Sequence, residues 1–280
     1  MRIISWNVNG FRSVVQKGAF RKLLETYDPD VILLQEIKCS WDDLQNYATT
    51  YLPGVINEDD LNAYTTFVDE SRIPGRHGVG MFVRNSLLDE YEHIWFENMD
   101  PFVDNRAESR FQVFRLGDLA IMNTYSVNVR TGDLSLDNCR VPQRKDYDSW
   151  LYTIVENWRR DVNCNIIMMG DFNVVSQPID YHGDYLNPML AGMTDQERKG
   201  FRDLIEGCHM VDTFRYFHPE ETKYSYWSYR GYARDTNRGW RIDYGLVSEE
   251  LLDYVEASDI LTDVWGSDHA PILLDIREVI

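Results

Sequence analysis

"GSDHAPILLDI" occupies residues 266–276, and the fold turns on how it is read. Its second half, "APILLDI", is an almost unbroken apolar run of strand length, which marks a strand covered on both faces. The acid and histidine at its mouth, Asp268 and His269, either shape a turn or carry chemistry. The dipeptide alone does not choose between these, so the rest of the chain must. Similar runs recur at "RIISW" (2–6), "VILLQ" (31–35), "VGMFV" (79–83), "FQVFRL" (111–116), "LAIMNTY" (119–125), "NIIMM" (165–169) and "RIDYGLV" (241–247). Helical patterns lie between them. Residues 14–27 place Val14, Val15, Phe20, Leu23, Leu24 and Tyr27 at helical spacing, residues 144–160 do likewise, and residues 194–207 open with the capping box Thr194/Glu197. Covered strands with helices among them imply an α/β layering, and this many strands suits two sheets packed together with helices outside.

The bulk properties exclude several classes. With 280 residues and 44% hydrophobic content the chain can bury a sizeable core, and residues 1–280 are expected to form a single domain. No apolar run approaches 18 residues, and "MRIISWNVNGF" turns polar too soon for a secretory leader, so a cytoplasmic protein with no membrane partner is expected. Cys39, Cys139, Cys164 and Cys208 are scattered without metal-ligand spacing, which predicts four reduced thiols. No Gly-rich phosphate loop is present, which disfavours nucleoside-triphosphate chemistry.

What unites the strands is how they end. "RIISW" is followed by Asn7 and "VILLQ" by Glu36. "LAIMNTY" ends in Tyr125, with Ser126 and Asn128 just beyond, and "NIIMM" runs into "GDFN" with Asp171 and Asn173. "RIDYGLV" carries Asp243, and the last strand is preceded by Asp268 and His269. Taken singly, each is a turn residue or a solvated charge. Gathered at one sheet edge, they supply oxygen ligands for a hard cation and the groups of acid–base catalysis, which together suit phosphodiester hydrolysis.

At these residues the chain resembles the endonuclease–exonuclease–phosphatase superfamily, and more narrowly its exonuclease III-type apurinic/apyrimidinic (AP) endonucleases. The matching segments are "ISWNVNGFR", "PDVILLQEIK", "GVGMFV", "GDFNVV…ID", "TDQERKGF", "VDTFR", "YSYWSYRGYARDTNRGWRIDY" and "GSDHAPI". "GDFN" and "SDHAP" mark only the broad superfamily, while the 224–244 block is specific to DNA repair enzymes. The resemblance implies a four-layer α/β sandwich, two mixed β-sheets packed face to face and flanked by helices. It implies a Mg²⁺ site (Mn²⁺ able to substitute) at Glu36, Asn7 and Asp268, with Asp171 and Asn173 in the same site. Asp171 would position or deprotonate the attacking water, Asn173 and Tyr125 would contact the phosphate, and His269, oriented by Asp243, would bind it. Arg76, His77, Asn128 and Arg238 would contact DNA, and Tyr226, Trp240 and Ile242 would line a pocket for a base-less sugar. The implied activity is Mg²⁺-dependent cleavage 5′ to an abasic site in double-stranded DNA, with 3′-end trimming, by a monomer. Another phosphoesterase of the superfamily, or an inactive DNA-binding homologue, are the alternatives. Two positions depart from the family pattern: Val127 stands where proline is usual, and Ser109 where glycine is usual.

A formal charge of −18 opposes a DNA partner. Against this, Lys223, Arg230, Arg234, Arg238 and Arg241 face only Asp235 within 223–241, interleaved with Tyr224, Tyr226, Trp227, Tyr229, Tyr232 and Trp240. That mixture predicts a nucleic-acid face, with Arg72, Arg76 and His77 as a second basic loop. The acids Asp89, Glu90, Glu92, Glu97, Asp100 and Asp104 are expected to face away from it, and Glu108 toward the site.

Overall fold

The structure, a computed structural model, describes residues 1–46, 63–73, 75–90, 94–99, 108–162 and 164–277. Glu92, Asp100 and Asp104 lie outside the described residues. Within them the strands are β1 (Arg2–Asn7), β2 (Val31–Gln35), β3 (Tyr64–Asp69), β4 (Val79–Arg84), β5 (Ile94–Asn98), β6 (Phe111–Leu116), β7 (Leu119–Tyr125), β8 (Asn165–Asp171), β9 (Met210–Asp212), β10 (Asp243–Ser248), β11 (Val255–Ile260) and β12 (Ile272–Ile276). The helices are α1 (Phe11–Gln16), α2 (Ala19–Tyr27), α3 (Trp41–Asn46), α4 (Asn85–Asp89), α5 (Val141–Arg160), α6 (Asp195–Gly207) and α7 (Thr213–Phe217).

The strands form two six-stranded mixed sheets, ordered β11-β12-β1-β2-β4-β3 and β5-β6-β7-β8-β10-β9. Period-2 alternation explains the layering, because adjacent residues of a covered strand face different layers. Ile3, Val31, Leu33, Met81 and Val83 of the first sheet meet Phe114, Ile121, Ile167, Met169 and Val247 of the second. Their neighbours Ile4, Trp6, Ile32, Leu34 and Phe82 turn outward onto Phe11, Val14, Val15, Phe20 and Leu23 of α1 and α2. On the far side Val113, Met122, Ile166, Met168 and Leu246 pack on Tyr147, Leu151, Val155, Phe201 and Leu204 of α5 and α6. The result is the expected four-layer sandwich.

Between the sheets runs a polar seam that the sequence did not announce. Gln35 and Asn123 are fully buried. Gln35 Nε2 donates to Asn123 Oδ1 (2.7 Å), and Asn123 Nδ2 donates to the carbonyls of Leu34 and Gly80 (both 3.1 Å). Both amide nitrogens are satisfied and fix one arrangement of the layers, while Gln35 Oε1 is buried with no partner among the described residues; Gln35 is the register partner of Asn7 and immediately precedes Glu36.

One expectation changes. The single helix expected over 14–27 is two, broken where Gly18 takes a φ of 70°. The capping box of α6 is present, with Thr194 Oγ1 accepting from the Glu197 amide, a contact of about 1 kcal/mol. All four cysteines are free. No helix among the described residues is long and apolar enough to cross a membrane.

Candidate active site

Strand register places the site. Tyr125 and Asp171 are partners across parallel β7 and β8, and Asp171 and Asp243 are partners across antiparallel β8 and β10. Three polar side chains therefore stand abreast at one edge of the second sheet. The first sheet faces them with Asn7 and Glu36 at the ends of β1 and β2. β12 runs antiparallel to β1, so its mouth, carrying Asp268 and His269, opens at the same edge. This answers the question posed by "SDH": the dipeptide sits where both sheets deliver their polar ends.

The contacts form a continuous network. His269 Nδ1 and Asp243 Oδ2 are 2.9 Å apart, and Asp243 Oδ2 also accepts from Ser225 Oγ at 2.6 Å. Asp171 Oδ1 accepts from the Asn173 amide (2.8 Å), and its Oδ2 accepts from Asn7 Nδ2 (2.9 Å) and Asn173 Nδ2 (3.2 Å). Asn128 Nδ2 donates to Asn173 Oδ1 at 2.9 Å. Glu36 Oε1 accepts from Tyr125 Oη (2.8 Å) and Asn7 Nδ2 (3.2 Å), while Lys38 Nζ lies 2.7 Å from its Oε2. Asp268 accepts from Asn9 Nδ2 through both oxygens, at 3.0 and 3.1 Å. Glu36, Lys38, Asn9, His77, Arg130 and Asn173 all take positive φ between 44° and 66°. Left-handed backbone at non-glycine residues costs energy and clusters at functional sites.

Burial and charge set the proton affinities. Burial, then the neighbouring Asp243 carboxylate, push Asp171 well above the usual carboxylate range. His269 resists its own burial because Asp243 holds its proton, raising it to about 10. Burial would raise Glu36 too, but the Lys38 ammonium and the Tyr125 and Asn7 donors outweigh it and bring it down to about 2. His269 therefore keeps its proton at neutral pH, held against the Asp243 carboxylate.

These residues line one cavity of about 600 Å³. Its lining combines Glu36, Asp171, Asp268 and His269 with the cations Arg110, Arg130 and Arg140 beside an uncharged His77, and with an apolar wall of Tyr226, Trp240, Ile242, Ala191 and Gly192. The apolar wall needs its glycine. Gly192 has φ 84°, and a Cβ there would lie 2.9 Å from the Trp240 ring.

The sequence-derived set largely converges here: Tyr125, Asn128, Asp171, Asn173, His269, Glu36, Asp268, His77, Tyr226, Trp240 and Ile242 line the cavity, with Asn7 and Asp243 just behind it in hydrogen-bond contact. Arg76 and Arg238 do not line it. Arg76 is exposed on a separate depression near Cys39, and Arg238 Nε donates to Thr236 Oγ1 at 3.1 Å. The basic stretch 223–241 also needs correcting. Arg241 is fully buried against Asp180 and Asp212, Lys223 pairs with Asp259, and Arg234 is half-buried. Only Arg230 and Arg238 of the five remain exposed. A buried guanidinium requires its carboxylates, and breaking such a pair costs roughly 3–5 kcal/mol. Trp227 and Tyr224 belong to the core.

Several site residues had little or no signal. Asn9 and Lys38 sit two residues beyond Asn7 and Glu36. Arg110 is fully buried, donates to the Tyr125 and Ser126 carbonyls at 2.9 and 3.2 Å, and lies 4.3 Å over the Tyr125 ring. Arg140 reaches both oxygens of Glu108 at 2.9 Å. The two family departures are accommodated. Ser109 takes φ 51°, which explains a usual glycine, and its Oγ donates to the Glu70 carbonyl at 2.9 Å. Val127 is buried, with its carbonyl accepting from Arg144 at 3.0 Å.

The cavity's cations make stability sensitive to acid. Burial, then the Arg110 charge, lower His77 to about 4, so the unfolded chain takes up a proton below about pH 6.5 that the folded chain refuses. Its contribution is present above pH 6.5 and lost as pH falls toward 4. Denaturant melts across that window are expected to show the wild type losing more stability than His77→Asn. Parallel curves would remove His77 from the effect.

The donor set also bears on a metal. Asp171, Asp243 and His269 offer ligand atoms within 4.8 Å of one another. His269 Nδ1 is committed to Asp243 and the ring holds its proton, so that trio is a poor metal cage. Glu36, the Asn7 carbonyl oxygen and Asp268 are instead oxygen donors without thiolates, which fits a hard divalent cation.

Comparison with known proteins agrees with this geometry. The model of the endonuclease/exonuclease/phosphatase family matches residues 4–269. The chain is 35% identical over 278 residues to an exodeoxyribonuclease of Bacillus subtilis, covering 99% of this chain and 100% of that protein. It is 34% identical to a DNA-(apurinic or apyrimidinic site) endonuclease of Dictyostelium discoideum, covering 97% and 69%. The solved AP endonuclease of Leishmania major superposes with a TM-score of 0.83 at 27% identity, covering 99% of this chain and 87% of that one. With the site's strand-end geometry, these matches establish that the chain belongs to the endonuclease/exonuclease/phosphatase family.

Proposed function

We propose that the protein is a Mg²⁺-dependent DNA repair nuclease that hydrolyses the phosphodiester 5′ to an abasic site, leaving a 3′-hydroxyl, and trims 3′ ends as an exonuclease or phosphodiesterase. The observation carrying this reading is one cavity that joins the Asp171–Asp243–His269 constellation to the apolar wall of Tyr226, Trp240 and Ile242. The Bacillus exodeoxyribonuclease and the Dictyostelium AP endonuclease, alike along nearly the whole chain, support it.

Glu36, Asn7 and Asp268 would hold the metal. When bound, Mg²⁺ supplies positive charge against the phosphate and its leaving oxygen. Asp171 takes the proton of the attacking water, as its raised proton affinity suits. With Nδ1 given to Asp243, the other ring nitrogen of His269 is the one able to donate to a phosphate oxygen. Asn173 and Asn128 fix the orientation of Asp171. The water oxygen bonds to phosphorus as its proton passes to Asp171, the P–O3′ bond breaks, and the departing 3′ oxygen takes a proton from solvent to become a hydroxyl. Every group named comes from one chain, so a monomer carries a complete site.

The test is cleavage of a duplex carrying one abasic analogue, with the product's 3′ end assayed by polymerase extension. A nick 5′ to the lesion with an extendable end is expected. Preferential hydrolysis of a phospholipid or free nucleotide would favour a different phosphoesterase, and tight binding without cleavage an inactive DNA-binding protein.

Selectivity belongs to the apolar wall. Extruding an intact nucleotide costs a few kcal/mol more than extruding one without a base. Trp240→Ala is therefore expected to lower the ratio of abasic to undamaged cleavage more than it lowers the abasic rate. An unchanged ratio would take Trp240 out of recognition.

A further inference from the structure

Beside the cavity lies a second surface that the proposed chemistry does not use. The turn over 229–238 exposes Tyr229 (69%) and Tyr232 (79%), and the turn preceding the Asp268–His269 pair exposes Trp265 (57%). Exposed rings grouped on one surface mark a contact site, unlike rings scattered singly. The two turns are fastened to each other. Arg234 Nη1 donates to the Ser267 carbonyl (3.1 Å), and its Nη2 donates to the carbonyls of Thr262 (2.9 Å) and Val264 (2.7 Å). The same guanidinium is stacked between Trp227 (4.6 Å) and Trp265 (4.3 Å). Trp265 is thus held by its inner face on a rigid support.

The charge of the surface points to the partner. Arg230, Arg238 and Lys17 are exposed around these rings, with Lys17 Nζ donating to the Gly266 carbonyl (2.8 Å) beside Trp265. Arg234 is a fourth cation among them, and the nearby acids are Asp235, Asp263 and Asp268. In a chain of net −18, a local excess of cations among exposed rings is selective for an anion that carries flat apolar groups. A protein or lipid partner would need apolar area or acidic side chains, whereas a nucleic-acid strand supplies phosphates and bases together. A duplex buries its base faces, but an unpaired strand offers them. The surface is also continuous with the catalytic cavity, since Tyr226, Ser228, Asp268 and His269, which flank these two turns in the chain, line that cavity.

We propose that Tyr232 and Trp265, with Arg230 and Arg238, form a stacking platform for unpaired nucleotides flanking the scissile phosphate, so that the enzyme grips single-stranded or frayed DNA as well as duplex. This rests on the DNA-nuclease reading above. Stacking on one ring contributes about 1–3 kcal/mol per base, and the phosphates are held by charge without regard to sequence.

A dT homopolymer, which has no abasic site and no duplex, isolates the platform. In chelator, so that nothing is cut, its binding is expected to quench wild-type tryptophan fluorescence. In Trp265→Ala the quench is lost and affinity falls by roughly 5- to 150-fold, the equivalent of one stack. Trp265→Phe restores affinity by keeping a ring, and Tyr232→Ala weakens binding likewise. Affinity for an abasic duplex falls by a smaller factor in each. Equal losses on single strand and duplex, or unchanged dT binding in Trp265→Ala and Tyr232→Ala, would overturn the platform while leaving the nuclease reading intact. A wild type that neither cuts an abasic duplex nor binds dT would overturn both.

Discussion

Asp171→Asn and His269→Ala are each expected to slow cleavage of an abasic duplex by about 10²–10⁴-fold while the duplex still binds. Asparagine keeps the shape of Asp171 and can still meet Asn7 and Asn173, but it cannot accept a proton from water. Removing the His269 ring takes a cationic donor from the phosphate and leaves Asp243 facing Ser225 alone. The two residues act on one phosphate from positions linked through Asp243, so the double variant should fall by less than the product of the single losses. Wild-type pH dependence follows from the same contacts. Asp171 is raised, so acidification protonates it before an ordinary carboxylate, and the rate falls on the acid side of neutrality; in Asp171→Asn that limb disappears. Single-turnover rates with saturating enzyme, measured across pH, check both statements. Near-normal turnover in either variant would mean another group activates the water or holds the phosphate.

How far the chain could be read depended on whether the deciding partner lay nearby in sequence. β1, β2, β6, β7, β8 and β12 are runs whose strand character is local, and most site residues lie at or just beyond an end of such a run, so strand-end chemistry was legible. β3, β5 and β11 were not. "YTTFVD" and "VEASDI" mix polar with apolar residues, and β5 is largely exposed at a sheet edge. The three-residue β9 is too short to leave a pattern. The polar seam of Gln35 and Asn123 was invisible because the two amides are 88 residues apart. The basic stretch 223–241 misled for the same reason. Its charges could be counted, but the carboxylates that neutralise Arg241 and Lys223 come from Asp180, Asp212 and Asp259. What remains exposed is smaller and more aromatic than the count implied. The cations that line the cavity itself are Arg110, Arg130 and Arg140, of which Arg130 is the exposed one.

Removal of divalent metal is expected to abolish cleavage, with recovery on adding Mg²⁺ or Mn²⁺. Glu36→Ala should shift that recovery to higher metal concentration and leave the saturated rate lower by on the order of 10²-fold. The argument starts from the proton affinity of Glu36. Lys38, Tyr125 and Asn7 outweigh burial and hold the carboxyl near pKa 2, so it is ionised throughout the working range and no proton need leave before a cation enters. Its positive φ shows that the backbone bends to present it. Asn7 serves two masters, because the same Nδ2 bridges Glu36 and Asp171. Loss of the Glu36 carboxylate therefore weakens the metal's charge and also frees the amide that orients the base. Glu36→Gln separates these effects: it removes the charge but keeps an oxygen that Asn7 and Tyr125 can still approach. It should match the alanine variant in metal requirement and exceed it in rate at saturating Mg²⁺. Magnesium titrations of the cleavage rate for the three proteins measure both quantities. Undiminished cleavage by the wild type in excess chelator would exclude a metal from the reaction and leave Glu36 as a scaffold for Asn7 and Tyr125.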